Sequence, residues 1–373
     1  MKHAKNLVGC NYRLIIYMKI LHITPHLGGG IGKVLSELVK QSIKTNDVNH
    51  IEHHIEHQIM CLEQPEKLQF IEEINKYGKK VIICPSIQEQ IYLINDADIV
   101  QLELFDSHGI NKGKSQSIKY LHDSNSPLNN LPIRFIIWYH NNGLYDKFLP
   151  YELVEKSHKF LFTSQCSFEN KRLITKFESK INESNLNTVF ASGGFNNIPF
   201  TEVLYDSSAR FCCFKQLNPA KLHPDIDSYL KCLHSNYKIK IFENFVPDII
   251  EELKSTNVVI YLLNPKHFGC SENLLLECMA MGIIPIVFNN PAERYIVENG
   301  KTGFIVNDIT EFKNVICFLY KNMSERYKIG LNAAKSVRER FSVKKTEDGL
   351  NHHYNELMQI NKEKIDFSLI QFN

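Results

Sequence analysis

The chain has 373 residues, of which 43% are hydrophobic and 23% are charged. This length exceeds what one ordinary hydrophobic core supports, so we expect two domains, and the composition excludes a disordered tail and a membrane span. The 43 Lys and Arg residues nearly balance 41 Asp and Glu residues, which leaves a net charge of +2 and no basic footprint for nucleic acid. We therefore expect small-molecule chemistry and no nucleic-acid partner.

The ten cysteines include no C-x-x-C pair, and most of them lie inside apolar runs such as VIIC, FCCF and VICF. This usage indicates buried, reduced thiols rather than disulfides or zinc ligands. No apolar stretch reaches the length of a spanning helix, and the chain does not open with a signal peptide that carries a small-residue cleavage site. We expect a cytoplasmic protein.

The first predicted strand is residues 20–24, within MKILHITPH. Folds that begin with such a strand favour Met18 as the start of the domain, which makes residues 1–17 an extension; a short extra strand or arm is the alternative. After the strand come Pro25, a glycine-rich turn and a predicted helix over residues 31–45. This order can cradle a phosphate or a sugar, because glycine lets the backbone approach a ligand and a helix N-terminus favours anions.

The glycine turn does not match either familiar nucleotide motif. The Walker pattern fails because Leu27 and Val34 stand where Gly and Ser or Thr are required, and the dinucleotide fingerprint lacks its last glycine. A simple tight turn is therefore the alternative to a ligand cradle.

Four histidines follow in NHIEHHIEHQIMCL, around a small Ile-Glu-His repeat. Helical spacing would place His50, His54 and His57 on one face as metal ligands. A histidine-rich polar entry to a strand at residues 58–62 is the simpler interpretation.

Short apolar runs then alternate with polar helical stretches, which predicts a parallel sheet covered by helices. The predicted strands are residues 81–84, 98–104, 134–139, 159–163 and 188–191. His140 follows one of these strands, at the sheet edge where parallel sheets place their ligands. It is a candidate for acting on a sugar hydroxyl or a developing charge, and a hydrogen-bonded structural histidine is the alternative.

A segment rich in turn formers, residues 192–200, predicts the linker to a second block of strands at residues 210–214, 238–242, 258–263 and 283–288. Lys221 lies on the loop after the first of these strands, where it could face the crevice or only solvent. Helices over residues 310–322, 324–341 and 344–360 are predicted to close the chain, and the last is polar enough to lie across a surface.

The stretch HFGCSENLLLECMAMGIIPIVFNN, residues 267–290, predicts a loop, a helix and a buried strand. Ser271 is a natural N-cap for this helix and Glu272 falls in its first turn, so the helix start is a candidate anion site. Glu277 lies inside the apolar helix, and a charged residue there usually has a partner or a task.

These features together resemble the retaining glycosyltransferases of the GT-B fold, the group often called family 4, from Met18 to about Phe341. The resemblance implies two Rossmann-like βα domains that face a central cleft, with C-terminal helices. We expect an acceptor-side domain over residues 18–200, a donor domain over residues 201–342, and a C-terminal helix and tail over residues 343–373 that cross back to the first domain.

The resemblance also implies site residues. Glu277 matches the glutamate that holds the nucleotide ribose, and Ser271-Glu272-Asn273-Leu274 resembles the family's S-E-G-F-P-N-x-L-L-E with three residues missing. Glu272 would then be the sugar-facing glutamate, with Ser271, Asn273 and Leu274 also on the donor. Lys221 matches the lysine of G-R-L-x-x-x-K, which holds the pyrophosphate. Gln216 replaces the arginine, whose charge Lys215 or Arg210 would have to supply. Gly29 and Gly30 match the glycine loop, and His140 falls at the crevice histidine.

The implied activity is the transfer of a hexose-type sugar from a UDP- or GDP-sugar, without a cofactor or metal, to a glycan or lipid-linked acceptor in bacterial surface polysaccharide synthesis. The protein would work in the cytoplasm or peripherally at the inner face of the membrane. One alternative is a related binding or regulatory subunit without turnover, which the missing arginine and the displaced first glutamate favour. A dinucleotide-dependent enzyme is a weaker alternative, because the glycine fingerprint fails.

Overall fold

The structure, a computed structural model, describes residues 16–48, 53–65, 67–105, 116–145, 149–201, 208–215, 217, 220–233, 237–244 and 246–367. The first domain is built on a seven-stranded parallel sheet with the strand order β3-β2-β1-β4-β5-β6-β7. Its strands are β1 Ile16–Thr24, β2 His53–Cys61, β3 Val81–Ile83, β4 Ile99–Leu104, β5 Phe135–Tyr139, β6 Lys159–Phe162 and β7 Leu186–Thr188. The strand order reverses between β1 and β4, which opens a crevice at their carboxyl ends.

Helices cover both faces of this sheet, so its central strands are buried throughout and read as continuous apolar runs such as FIIWY. The helices are α1 Gly29–Val48, α2 Gln69–Lys76, α3 Ile87–Asp96, α4 Gln116–His122, α5 Tyr151–Lys156, α6 Lys171–Lys176 and α7 Glu178–Asn182. The first strand begins at Ile16, two residues before Met18, and residues 1–15 lie outside the described part of the chain. The strand predicted at residues 188–191 ends at Thr188 instead.

The histidine-rich segment is a strand, so the helical spacing that would place three histidines on one face as metal ligands is not formed. His54 and His57 lie on β2, where residues three apart point to opposite faces. His54 stacks on Tyr17 with ring centroids 5.1 Å apart, whereas His57 is buried and hydrogen-bonded to His22. His50 lies outside the described residues.

The second domain has a five-stranded parallel sheet with the order β12-β11-β10-β8-β9. Its strands are β8 Arg210–Phe214, β9 Lys238–Phe242, β10 Val258–Tyr261, β11 Ile284–Phe288 and β12 Phe304–Val306. The helices that follow are α8 Ile226–Lys231, α9 Ile249–Leu253, α10 Asn273–Ala280, α11 Pro291–Ile296, α12 Ile309–Lys321, α13 Met323–Arg340 and α14 Val343–Leu357. The order reverses at β8 and β10, so this sheet also offers a crevice at its strand ends.

The last helix, α14, leaves the second domain and packs on the first. Leu350, Tyr354 and Leu357 are buried in the same apolar cluster as residues of β1 and α1. At its end, Glu356 pairs with Lys159 of β6 at 2.6 Å. The helix therefore ties the two domains together through apolar burial and one half-buried ion pair.

His353, which α14 buries against the first domain, should make the protein sensitive to acid. Burial and then the charge of Lys159 lower its pKa from 6.5 to about 4. As pH falls below about 6.5 the unfolded chain binds a proton that the folded chain does not, so stability falls until about pH 4. His353→Gln should remove about 2 kcal/mol of the stability loss between pH 7 and 5, measured by urea unfolding.

The control for this prediction is His352→Gln, because His352 stands next to His353 but is exposed. An unchanged pH slope in the His353→Gln protein would show that this imidazole is not the group that titrates.

Candidate functional site between the domains

The crevices of the two sheets meet in one cavity of about 720 Å³. From the first domain it is lined by residues 28–30 of the glycine turn and by His140, and from the second by Lys221, Ser271, Glu272 and Asn273. Seven of the nine residues that the sequence predicts for the site therefore line one cavity, together with Gly269 and with Lys67, Glu63, Gln64, His26 and Phe105 of the first domain. The remaining two, Leu274 and Glu277, lie outside this lining.

The glycine turn lines the cavity from the first domain and lies close to the second domain. Helix α1 begins at Gly29, which has a positive φ of 61° that favours glycine. A side chain on Gly30 would lie 3.4 Å from Nδ2 of Asn273, so the turn and the start of α10 approach closely across the cleft. Free backbone NH groups at the start of α1 consequently face the cavity that Asn273 lines.

An ion pair between Lys221 and Glu272 lines the cavity from the second domain. Nζ of Lys221 lies 2.9 Å from Oε1 of Glu272, and the hydroxyl of Tyr261 donates to Oε2 at 2.8 Å. Burial alone would raise the pKa of Glu272, but the charge of Lys221 and these hydrogen bonds lower it. Burial would also lower the pKa of Lys221, and the charge of Glu272 raises it instead. Both groups are therefore charged at neutral pH, with the ammonium over the ring of Phe268 at 5.3 Å.

Helix α10 begins later than the sequence predicts, so Ser271 is not its N-cap. Glu272 occupies that position and makes no side-chain capping bond, because its carboxylate is held by Lys221 and Tyr261. Ser271 donates its hydroxyl to the carbonyl of Thr163 at 3.4 Å, across the domain boundary. The first backbone NH groups of α10 therefore lack a side-chain cap.

Glu277 forms an ion pair with Lys33 of α1 across the domain boundary. Its carboxylate is thus partnered in this structure by the helix that follows the glycine turn. Leu274 packs against the apolar core of the second domain. A ligand that binds Glu277 through Oε1 competes with Lys33.

The first domain holds the loop before α10 through its backbone. Nδ2 of Asn142 donates to the carbonyls of His267 at 2.7 Å and Gly269 at 3.0 Å, and its NH donates to the carbonyl of Phe268 at 2.9 Å. A Cβ on Gly269 would lie 2.0 Å from Oε1 of Glu272, so the loop passes in close contact with the ion pair. Asn142 was not predicted as a site residue, although it directly follows His140 and Asn141 at a strand end.

His140 belongs to a buried polar network that sequence reasoning missed. Its Nε2 lies 2.7 Å from Oε2 of Glu103, while Oε1 of Glu103 lies 2.7 Å from Nδ1 of His22. Both Glu103 and His22 are fully buried. Burial on its own would raise the pKa of Glu103, but the hydrogen bonds with His140 and His22 outweigh it and lower the pKa to about 2. The available signal was a charged residue inside the apolar strand IVQLEL, the same argument that singled out Glu277.

The two candidates for the cation in place of the family's arginine, Lys215 and Arg210, lie away from the cavity lining. Lys215 pairs with Asp227 at 2.7 Å, and neither Lys215 nor Arg210 lines the cavity. Gln216 itself lies outside the described residues. Lys67 of the first domain and Lys221 of the second domain both line the cavity.

Residues 224–336, within the second domain, match the family model of glycosyl transferases group 1. The whole chain is similar to HepE from Anabaena, solved with UDP and glucose, at a TM-score of 0.66 and 12% identity over 91% of this chain and 100% of HepE. The chain has the GT-B fold. Its two parallel-sheet domains, the cleft between them and the helical C-terminus are the parts that this fold comprises, so the fold predicted from the sequence is confirmed.

Two further structures show the same GT-B architecture. A glycosyltransferase from Rickettsia africae ESF-5 has a TM-score of 0.58 and 16% identity over 92% of this chain and 99% of its own. The lipopolysaccharide outer core galactosyltransferase WaaB, in its apo form, has a TM-score of 0.61 and 15% identity over 91% and 99%. A comparison with curated protein sequences found no match.

Two further observations concern metals and membranes. Among the described residues, the group of side chains near enough together to hold a metal ion is His352, His353 and Glu356, on α14 and away from the cavity lining. In the same part of the chain no helix combines the length and the apolar character needed to cross a bilayer.

Proposed function

We propose that this chain is a retaining glycosyltransferase that moves a hexose-type sugar from a UDP- or GDP-sugar to a glycan or lipid-linked acceptor in bacterial surface polysaccharide synthesis. The observation that carries the proposal is the charged Lys221–Glu272 pair, which faces the glycine turn across the cavity. The match to glycosyl transferases group 1 supports it, as do related folds solved with UDP and with UDP-glucose. WaaB, a lipopolysaccharide galactosyltransferase, supports the choice of acceptor class.

The reaction places charge where the cavity can meet it. Cleavage of the bond from sugar to nucleotide puts negative charge on the departing diphosphate and positive character on the anomeric carbon. The ammonium of Lys221 and the free NH groups of α10 would stabilise the diphosphate, and the ionised Glu272 would face the sugar. Lys221 would take the part that a metal ion plays elsewhere, so the reaction would be independent of metals.

The retaining course would need no protein nucleophile. The acceptor hydroxyl would attack from the donor's own face, and an oxygen of the donor phosphate would take its proton. Gly29 and Gly30 would let the diphosphate approach the backbone, Glu277 would hold the ribose, and Ser271 and Asn273 would line the donor between them.

The test is hydrolysis of a panel of nucleotide sugars by the purified chain, followed as release of the free nucleotide diphosphate. We expect turnover of a UDP- or GDP-hexose that EDTA leaves unchanged and that Glu277→Ala abolishes. No release with any sugar would exclude the proposal. A thermal-shift series should show stabilisation by a nucleotide diphosphate and not by nicotinamide cofactors, because a ligand that binds only the folded state raises its stability.

A binding or regulatory subunit without turnover is the second candidate, and the occupied state of Glu277 favours it. If Lys33 is a permanent partner of Glu277, the carboxylate is not free for a ribose. Stabilisation by a nucleotide diphosphate without hydrolysis, with turnover restored by a partner chain, would identify the protein as such a subunit.

Lys33→Met tests whether Glu277 is available to the donor. If Glu277 holds the ribose, removal of Lys33 frees the carboxylate and should lower the KM for the donor about threefold, with kcat retained, because an exchangeable ion pair is worth under about 1 kcal/mol. Lys79→Met is the matched control, since Lys79 pairs with Glu56 at similar exposure and neither residue lines the cavity. A loss of kcat in the Lys33→Met protein would instead assign Lys33 to donor binding.

A cytoplasmic protein that works at the inner face of the membrane is part of the proposal. Large apolar side chains are exposed on α3 and at the two ends of α2, among them Leu68 at 52% and Tyr92 at 67%, together with Tyr77, Ile87 and Ile91. Apolar side chains clustered at a surface favour association with a lipid interface. Sedimentation with anionic lipid vesicles tests this, and a chain that stays in the supernatant would argue for a soluble acceptor.

A further inference from the structure

We propose that Glu103 is a positioning residue, which fixes His140 in the tautomer with the proton on Nε2 and so leaves Nδ1 as a hydrogen-bond acceptor for a hydroxyl group of the bound substrate. The substrate in this statement rests on the proposed function, but the assignment of the tautomer does not. Nothing in the sequence motifs assigns a role to Glu103, and no described atom of Glu103 lines the cavity.

The assignment follows from what each atom can donate. An ionised carboxylate only accepts hydrogen bonds, and both oxygens of Glu103 are engaged, since Oε2 lies 2.7 Å from Nε2 of His140 and Oε1 accepts from His22 and from Nε2 of Gln101. Three donors converge on one fully buried carboxylate. A proton must therefore stay on Nε2 of His140, and the tautomer that carries it there has no proton on Nδ1.

The rest of the network explains why the carboxylate cannot turn away. Tyr354 of α14 donates its hydroxyl to Oε1 of Gln101 at 2.6 Å, which orients the amide so that its NH₂ group faces Glu103. His22 is held from its other side by His57 at 2.8 Å. Because these partners occupy Oε1, the second oxygen is fixed toward His140.

His140 carries this arrangement to the cavity. Its ring packs on Trp138 with centroids 4.9 Å apart, and its backbone NH and carbonyl are bonded to Leu104 and Cys270. Among the described residues, Nδ1 has no hydrogen-bond partner, and His140 lines the cavity. A hydroxyl of the proposed substrate, on its sugar or its ribose, can donate a hydrogen bond to it.

The test reads the tautomer directly. Long-range proton–nitrogen NMR correlation of the histidine rings in the wild-type chain at pH 7.5, with the His140 signals assigned through His140→Gln, should show a protonated Nε2 and an unprotonated Nδ1. A proton on Nδ1 alone, or protons on both nitrogens, would overturn the proposal. This measurement decides the matter even if the chain hydrolyses no nucleotide sugar, in which case the proposed function fails and the positioning role does not.

Glu103→Gln tests the positioning role in the same spectrum. The glutamine oxygen is retained by His22 and Gln101, so the amide NH₂ faces Nε2 of His140 and should move the ring proton to Nδ1. We expect donor hydrolysis to fall about 10- to 100-fold, because a donor then meets the substrate's hydroxyl where an acceptor is needed. An unchanged tautomer in a folded Glu103→Gln protein would overturn the proposal.

Tyr354→Phe is the matched control for this variant. It loosens the hold on Gln101 but leaves the Glu103 carboxylate, whose two oxygens are still contacted by His22 and His140. The His140 tautomer should stay as in the wild type and donor hydrolysis should stay within about threefold. If Tyr354→Phe changed the tautomer as well, general loosening of the network would explain the result, and the specific role of Glu103 would be lost.

Discussion

Lys221→Met should lower the hydrolysis of the nucleotide sugar by about 10²- to 10³-fold, the usual effect of removing one group that stabilises charge in a transition state. Lys221 brings a positive charge to the cavity lining, and its Nζ lies 2.9 Å from Oε1 of Glu272. Methionine keeps most of the volume of the side chain and removes only the ammonium. A near-normal kcat would show that the diphosphate is stabilised elsewhere, for instance by Lys67.

The same variant should also be unstable, which calls for a second measurement. Glu272 is 5% exposed, and without Lys221 its carboxylate is buried beside only the hydroxyl of Tyr261. Leaving a buried charge unpaired costs about 3 kcal/mol, and we expect that loss in urea unfolding. The double variant Lys221→Met with Glu272→Gln removes both charges, so it should recover most of the stability and none of the activity.

Gly269→Ala should also cause a large loss of activity, but unlike Lys221→Met it should cause little loss of stability. The new Cβ would meet Oε1 of Glu272 at 2.0 Å and Nζ of Lys221 at 2.9 Å, which are the ends of flexible side chains. These ends can move aside at small cost, but the ion pair is then displaced. A displacement of about 1 Å at a reacting site costs about 100-fold in rate, measured as kcat for donor hydrolysis.

Gly303→Ala is the control with the reverse pattern. Its Cβ would lie 2.8 Å from the carbonyl oxygen of Pro285, a backbone atom that cannot turn away, and Gly303 is outside the cavity lining. We expect it to lower the free energy of unfolding and to leave kcat of the folded protein unchanged. Equal kcat values for the wild type and Gly269→Ala would show that catalysis does not depend on the position of the ion pair.

Periodicity was the reliable guide to the fold. The buried strands of both domains are mostly apolar, and their alternation with helices leaves a parallel sheet as the consistent arrangement. The histidine-rich segment allowed two interpretations, because a short polar alternation fits a helix face as well as a strand edge. Pairing with β1 along nine residues, from Ile16 to Thr24, decides in favour of the strand.

Residues near the chemistry were found from their places in the predicted elements. The glycine turn and Lys221 were located by their places after strands, Glu272 by its place at a helix start, and the family resemblance supported all three; they line one cavity. Ser271 looked like an N-cap, because serine before an apolar helix usually is one. Helix α10 starts at Asn273 instead, and the carboxylate of Glu272 before it is bonded to Lys221 and Tyr261. No local sequence pattern predicts these contacts.

The sequence by itself determined two βα domains, their strand ends and the residue types available to the cleft, because side-chain periodicity and backbone freedom are local properties. Only the tertiary structure decided which of those residues meet. Lys33 reaches Glu277, Asn142 holds the loop before α10, and Glu103 stands behind His140. Each of these contacts joins residues from 37 to 244 positions apart, so it depends on how the sheets are wound and docked.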